Sequence, residues 1–303
     1  MPPGNIPGFG AGGSSDFQSL FAGTSQWPTT SAHVSVIGLY AGWVTQVSPT
    51  TLAQTVAFLN AHNMAIELEA PSLQAPANCG SGIEGYVPYG QSLQTFTQAY
   101  LQALAAVNAN VRYLKVDEPF YFGSVSNTGC QWSTATVAQA VAQFSALVHS
   151  INPNVLVGDV EPVIASAYTP DVATAMGQWH DAYKSASGAA FPFYISDNDF
   201  SNPQWAALAL AMETEAHARG MQYGIIYTGD PMDASDQTWA SKAVARFEAF
   251  QSAAGGSPDF VLFQSWMVHP TYCLPETTAT TFTGVLDAYI GATTPAAVTR
   301  YRD

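Results

Sequence analysis

Seven times along this sequence a short, almost continuous apolar run gives way to an amphipathic helical stripe, and few folds accommodate that alternation. The runs occupy residues 34–40, 64–69, 111–117, 155–161, 191–196, 222–228 and 260–266. Runs that are apolar on both faces mark strands buried between two layers. Strands that alternate with helices build parallel βαβ units. Between the runs, Ser48-Pro49 opens a helix with Leu52, Val56 and Leu59 on one face. Phe96, Tyr100 and Leu104 stripe the next; Val137, Val141, Phe144 and Val148 follow, then Val172, Met176, Trp179 and Tyr183. Asn202-Pro203 and Gly220 bracket a fifth helix, Trp239, Ala243, Phe247 and Phe250 line a sixth, and Phe282, Val285 and Tyr289 a last one that Gly291 should stop. Such stripes are core packing and carry no chemistry.

Seven strands are one short of a closed ring of eight. Residues 5–9, ahead of a Gly-rich turn and a short helix at 16–21, would supply a short or irregular first strand. The expected fold is therefore an α/β, (β/α)8 TIM barrel, a single domain over residues 1–303, with residue 34 opening strand 2 and residue 260 opening strand 8. The length of 303 residues suits such a barrel.

Charge narrows the range of partners. Eight Lys and Arg stand against 22 Asp and Glu, a formal net charge of −14. That field repels phosphate backbones and anionic membranes, so neither nucleic acid nor a membrane is an expected partner. No apolar run reaches the ~18 residues of a membrane span. A neutral substrate and a monomeric protein are expected. Cys79 and Cys130 follow consecutive strands, so their loops can meet in a disulfide if the protein is exported. Met1-Pro2-Pro3-Gly4 shows no charged or apolar leader, and the expectation is a secreted protein whose signal lies outside this sequence.

In a (β/α)8 barrel the active site sits at the C-terminal ends of the strands. Five consecutive strands here end in acids: Glu67-Leu68-Glu69, Asp117-Glu118-Pro119, Asp159-Val160-Glu161-Pro162, Asp197-Asn198-Asp199 and Gly229-Asp230-Pro231. Aromatic residues flank them, among them Tyr40, Trp43, Tyr121, Tyr168, Tyr227 and Trp266. Aromatic faces pack on the C–H faces of sugar rings. Carboxylates and aromatics with few cations describe a carbohydrate cleft better than a phosphate site, and no glycine-rich phosphate loop is present. No metal and no cofactor is expected.

Val116-Asp117-Glu118-Pro119 resembles the Asn-Glu-Pro at the end of strand 4 in the clan of retaining (β/α)8 glycoside hydrolases that includes cellulases and β-mannanases, and Gln264-Ser265-Trp266 resembles that clan's strand 8. The resemblance implies that Glu118 is the acid/base and that Trp266 floors a sugar subsite. Two departures stand out. Asp117 replaces the clan's Asn, and Tyr227-Thr228-Gly229-Asp230 stands where the clan carries its nucleophilic Glu. The partner carboxylate is then Glu161 or Asp230. Asp117, Glu69, Asp159 and Asp197, the aromatics Tyr40, Trp43, Tyr121, Tyr227 and Trp266, and His269 are expected to bind the sugar.

Three residues carry alternative readings. Lys115 suits a buried ion pair better than a Schiff base. Asp197-x-Asp199 resembles a metal-binding pair but also a loop cap. Glu84 and Glu276, on long loops, either border the groove or belong to the loop surface. Two other functions remain open: a metal-dependent hydrolase or lyase using Asp159, Glu161, Asp197 and Asp199, and a non-catalytic carbohydrate-binding barrel.

Overall fold

The computed structural model describes residues 16–76, 79, 84–266 and 268–293; the expected first strand at 5–9 lies outside them. After a turn of 3-10 helix, α1 (Pro28–His33) leads into β1 (Val36–Tyr40), α2 (Ala41–Gln46) and α3 (Pro49–Ala61). Then come β2 (Ala65–Ala70), α4 (Leu93–Ala106), β3 (Val111–Asp117), α5 (Thr134–Ile151), β4 (Leu156–Val163) and α6 (Val172–Ser187). The chain ends with β5 (Phe193–Asn198), α7 (Trp205–Ala218), β6 (Gln222–Tyr227), α8 (Asp236–Phe247), β7 (Phe260–Phe263) and α9 (Phe282–Ala292). The seven described strands form one parallel sheet in chain order. The fold is α/β, of TIM-barrel type.

The helices begin where side chains can satisfy their first amides. Ser48, Ser133, Asp171, Ser235 and Thr281 each accept a backbone N–H from three residues on, the geometry of an N-cap. Gly188 ends α6 in the left-handed conformation, φ 83°. Gly291 does not stop the last helix, which runs on to Ala292. A glycine with no positive φ is only a weak breaker there, and the buried face of Phe282, Val285, Leu286 and Tyr289 carries the helix past it.

The described residues divide into two compact units, those within 68–105 and 112–224, and those within 16–67, 106–111 and 225–293. The core of the first unit is the buried stripes of α4, α5 and α6 with the apolar residues of β3, β4 and β5. The core of the second includes Trp27, Trp239, Phe247, Phe250, Phe263 and Phe282.

Candidate active site

The first unit carries the densest group of acids, and the strand register decides which side each occupies. β3 and β4 pair with Asp117 opposite Val160, and β4 and β5 pair with Val160 opposite Ile195 and Pro162 opposite Asp197. Side chains alternate along a strand, so Lys115, Asp117, Ile195 and Asp197 share one face. Asp159, Glu161, Tyr194 and Ser196 share the other, which the helices cover.

On the first face Lys115 is buried and its Nζ pairs with Glu69 at 2.7 Å. The ion pair is the expected reading of this lysine, and no Schiff base is needed to explain it. Asp117 is also buried. Its Oδ2 has no hydrogen-bond partner, while the Gly85 amide donates to its carboxyl. Burial holds Asp117 well above the usual carboxylate range, and the charges of Glu69 and Glu84 push the same way against Lys115.

Glu118 breaks the alternation. Its φ of 45° puts a non-glycine residue in the left-handed region, immediately before Pro119, where that conformation is disfavoured. Strain of this kind costs about 1–3 kcal/mol and collects at functional sites. The backbone is held there by bonds on both sides: Glu118 N–H donates to the Val160 carbonyl at 3.1 Å, and its carbonyl accepts from Phe122 N–H at 3.1 Å. The residue as a whole is half-buried. Burial and the charges of Asp197, Glu84, Asp117 and Glu161, in falling order, raise its pKa well above the usual range. The same influences favour its neutral form over its charged one.

The loop carrying Glu84 is built onto this strand end. Gly85 has φ 81°, and a Cβ there would stand 2.8 Å from the Asp117 carbonyl oxygen, so only glycine allows the approach. Its own carbonyl accepts from Ser72 and Leu73. Tyr86 Oη donates to the Phe122 carbonyl and accepts from Cys130 N–H, each at 3.2 Å. The Cys79–Cys130 disulfide, expected from the two loops, is present.

On the helix-facing side three of the four carboxylate oxygens of Asp159 and Glu161 have hydrogen-bond partners, and Asp159 Oδ1 has none. Asp159 Oδ2 accepts from Trp179 Nε1 at 2.8 Å and lies 3.3 Å from His180 Nε2. His180 Nδ1 reaches both oxygens of Glu215, which also pairs with Arg219 at 2.9 Å. Burial opposes the charge on His180, but the two carboxylates prevail and raise its pKa to about 9. Glu161 is fully buried, and its two oxygens accept the amides of Phe120 at 2.5 Å and Tyr121 at 2.9 Å. It anchors the helical turn that follows Glu118. The structure therefore places Asp159 and Glu161, expected as sugar ligand and catalytic partner, on the helix side of β4. The odd-numbered acids of β4 fall on the opposite face from those of β3 and β5, because Val160 aligns with Asp117 and Ile195.

The remaining expected site residues lie in the second unit. Asp230 pairs with Lys242 at 2.6 Å and with Arg246; burial works against it, yet the two cations hold it below the usual carboxylate range. Tyr227 is wholly buried between Phe247 and Phe263, with Gln251 donating to its hydroxyl. His269 Nδ1 lies 2.5 Å from Asp236 at the start of α8. Tyr40, Trp43 and Trp266 are half-buried, with Trp43 edge-on to Phe17. Glu276, an open choice from sequence, accepts the amides of Thr29 and Thr30 and caps α1.

Several aromatics of the first unit are packing residues. Phe120 stacks on Trp179 at 5.4 Å, and Tyr168 donates its hydroxyl to the Pro162 carbonyl at 2.7 Å. Tyr121 is half-buried against Phe122 and Tyr168. Asp199 caps its loop, accepting from the amide and hydroxyl of Ser201, so the Asp197-x-Asp199 pair divides between loop and strand face. Among the described residues no group of three or more His, Cys, Asp or Glu is placed to hold a metal ion.

No protein-family profile matches the chain, and no curated protein resembles it in sequence. Solved structures do resemble it. A fungal β-1,4-galactanase superposes with a TM-score of 0.55 at 9% identity, covering 87% of this chain and 89% of that one. The GH53 catalytic domain of Ignisphaera aggregans gives 0.52 at 12% identity, covering 83% and 80%. Xylanase 10B of Thermotoga maritima gives 0.52 at 10% identity, covering 88% and 83%. At these identities the likeness establishes the TIM-barrel fold.

Proposed function

We propose that this chain is a glycoside hydrolase acting on a neutral poly- or oligosaccharide, with Glu118 as its general acid. The supporting observation is the setting of Glu118: a strained, left-handed backbone at the end of β3, with burial and four nearby carboxylates raising its pKa. Glycosidic cleavage needs such an acid beside an ionised carboxylate. As the C1–O bond breaks, Glu118 passes its proton to the departing oxygen, and the sugar develops oxocarbenium character that nearby negative charge stabilises. A second carboxylate then either attacks C1 or takes a proton from the attacking water. The acidic surroundings disfavour anionic sugars. The solved neighbours named for galactan and xylan hydrolysis agree with this class of chemistry, and the disulfide agrees with export. The protein is read as a monomer without cofactor.

Incubation with a panel of neutral polysaccharides, followed by NMR of the products, tests the reading. New reducing ends are expected from at least one glycan, lost in Glu118→Gln. No release from any glycan, or full activity in that variant, overturns it.

A further inference from the structure

We infer that Asp197, rather than Glu161 or Asp230, is the second catalytic carboxylate. The inference rests on Glu118 being the acid. Glu161 holds two amides from a fully buried position on the helix-facing side of β4, and Asp230 is bound by Lys242 and Arg246. Asp197 is two residues beyond Ile195, which aligns through Val160 with Asp117. It therefore returns to the face of Asp117, about 6.6 Å further toward the C-terminal end of the sheet at ~3.3 Å per residue. The residue is half-buried rather than enclosed in the core. Of the charges around Glu118 it is the strongest, and Glu161 the weakest. On the same face, Asp117 Oδ2 is buried with no hydrogen-bond partner.

The chemistry balances in either stereochemical form. With Asp197 as nucleophile, its oxygen bonds to C1 as the glycosidic oxygen leaves with the Glu118 proton, and water later releases the sugar. With Asp197 as base, it takes a proton from the water that attacks C1 directly.

The test uses 2,4-dinitrophenyl and 4-methylphenyl glycosides of cellobiose, xylobiose and galactobiose, with whichever sugar the wild type hydrolyses. Glu118→Ala should lose more than about 100-fold on the 4-methylphenyl substrate and far less on the dinitrophenyl one, whose leaving group needs no proton. Asp197→Ala should lose at least about 1,000-fold on both, with sodium azide restoring turnover and yielding a glycosyl azide of inverted configuration. Normal rates in Asp197→Ala, or a loss that azide does not repair while circular dichroism shows an intact fold, overturn the assignment and leave Glu118 standing. Equal losses on both substrates in Glu118→Ala, or no turnover by the wild type, remove the parent reading and this inference with it.

Discussion

Two clusters of buried charge around β3–β5 are held in opposite ways. On the helix side, Asp159 and Glu215 flank a charged His180, and Arg219 closes the chain onto Asp181. On the other side, Asp117, Glu118, Glu84 and Asp197 repel one another, and Lys115 is already paired with Glu69. Buried charges are ordinarily neutralised where they stand, because leaving one unpaired costs several kcal/mol. The helix-side network follows that rule and reads as architecture. On the opposite face burial and neighbouring acids raise the pKa values of Asp117 and Glu118, and the Glu118 backbone is strained.

The largest expected effect falls on the uncompensated face. Glu118→Gln should lower kcat/KM on an unactivated glycan by at least about 1,000-fold, within the usual range for losing a general acid. Its melting temperature at neutral pH should hold or rise. A carboxyl whose folded pKa is raised favours the folded state at low pH and loses that contribution as pH climbs, so removing its charge relieves the protein above that range. A fall in both activity and melting temperature would make Glu118 a structural residue.

On the compensated face the effect reverses. His180→Leu leaves Asp159 and Glu215 without their shared cation and should cost about 3–5 kcal/mol in denaturant unfolding. The rate per folded molecule should stay within a few-fold of wild type. A large loss of kcat in well-folded protein would join the two faces functionally.

The same network sets a pH window for stability. With a folded pKa of about 9 against ~6.5 in the unfolded chain, His180 contributes fully below pH ~6.5 and loses that contribution as pH rises through about 9. Melting temperature should fall across that interval in wild type and stay flatter in His180→Leu. Parallel curves would show that His180 is not charged in the fold.

Two smaller effects sharpen the contrast. Asp230→Asn, at a half-exposed ion pair, should cost less than about 1 kcal/mol and change turnover only a few-fold. A thousandfold loss would return Asp230 to the catalytic pair. Glu84→Gln removes one of the charges that raise Glu118, so the alkaline limb of the pH–rate profile should move to lower pH.

Much of this was legible in sequence. All seven apolar runs became strands within two residues of their expected starts, and the last, at Phe260–Phe263, came out shorter. Every residue of the helical stripes quoted from sequence is buried. Glu118 stands at the end of its strand as expected. The period of two was visible in β4, but which parity faces the helices depends on register, and a single strand does not contain that. Hence Asp159 and Glu161 looked equivalent to Asp117 and Asp197. His180 falls four residues after Met176 in an apolar stripe, so its burial could be read. Its partners Asp159 and Glu215 lie 21 and 35 residues away and could not. The left-handed Glu118 and the glycine contact that brings Glu84 beside it are long-range outcomes with no local signal.

The most direct test is the protonation state of Glu118 in the resting protein, followed by difference infrared spectroscopy of wild type against Glu118→Gln across a pH titration. A protonated-carboxyl band absent from the variant should persist well above the ~4.3 at which an ordinary glutamic acid ionises. A band that disappears near that ordinary value would mean that Glu118 carries a negative charge at working pH and has no proton to give.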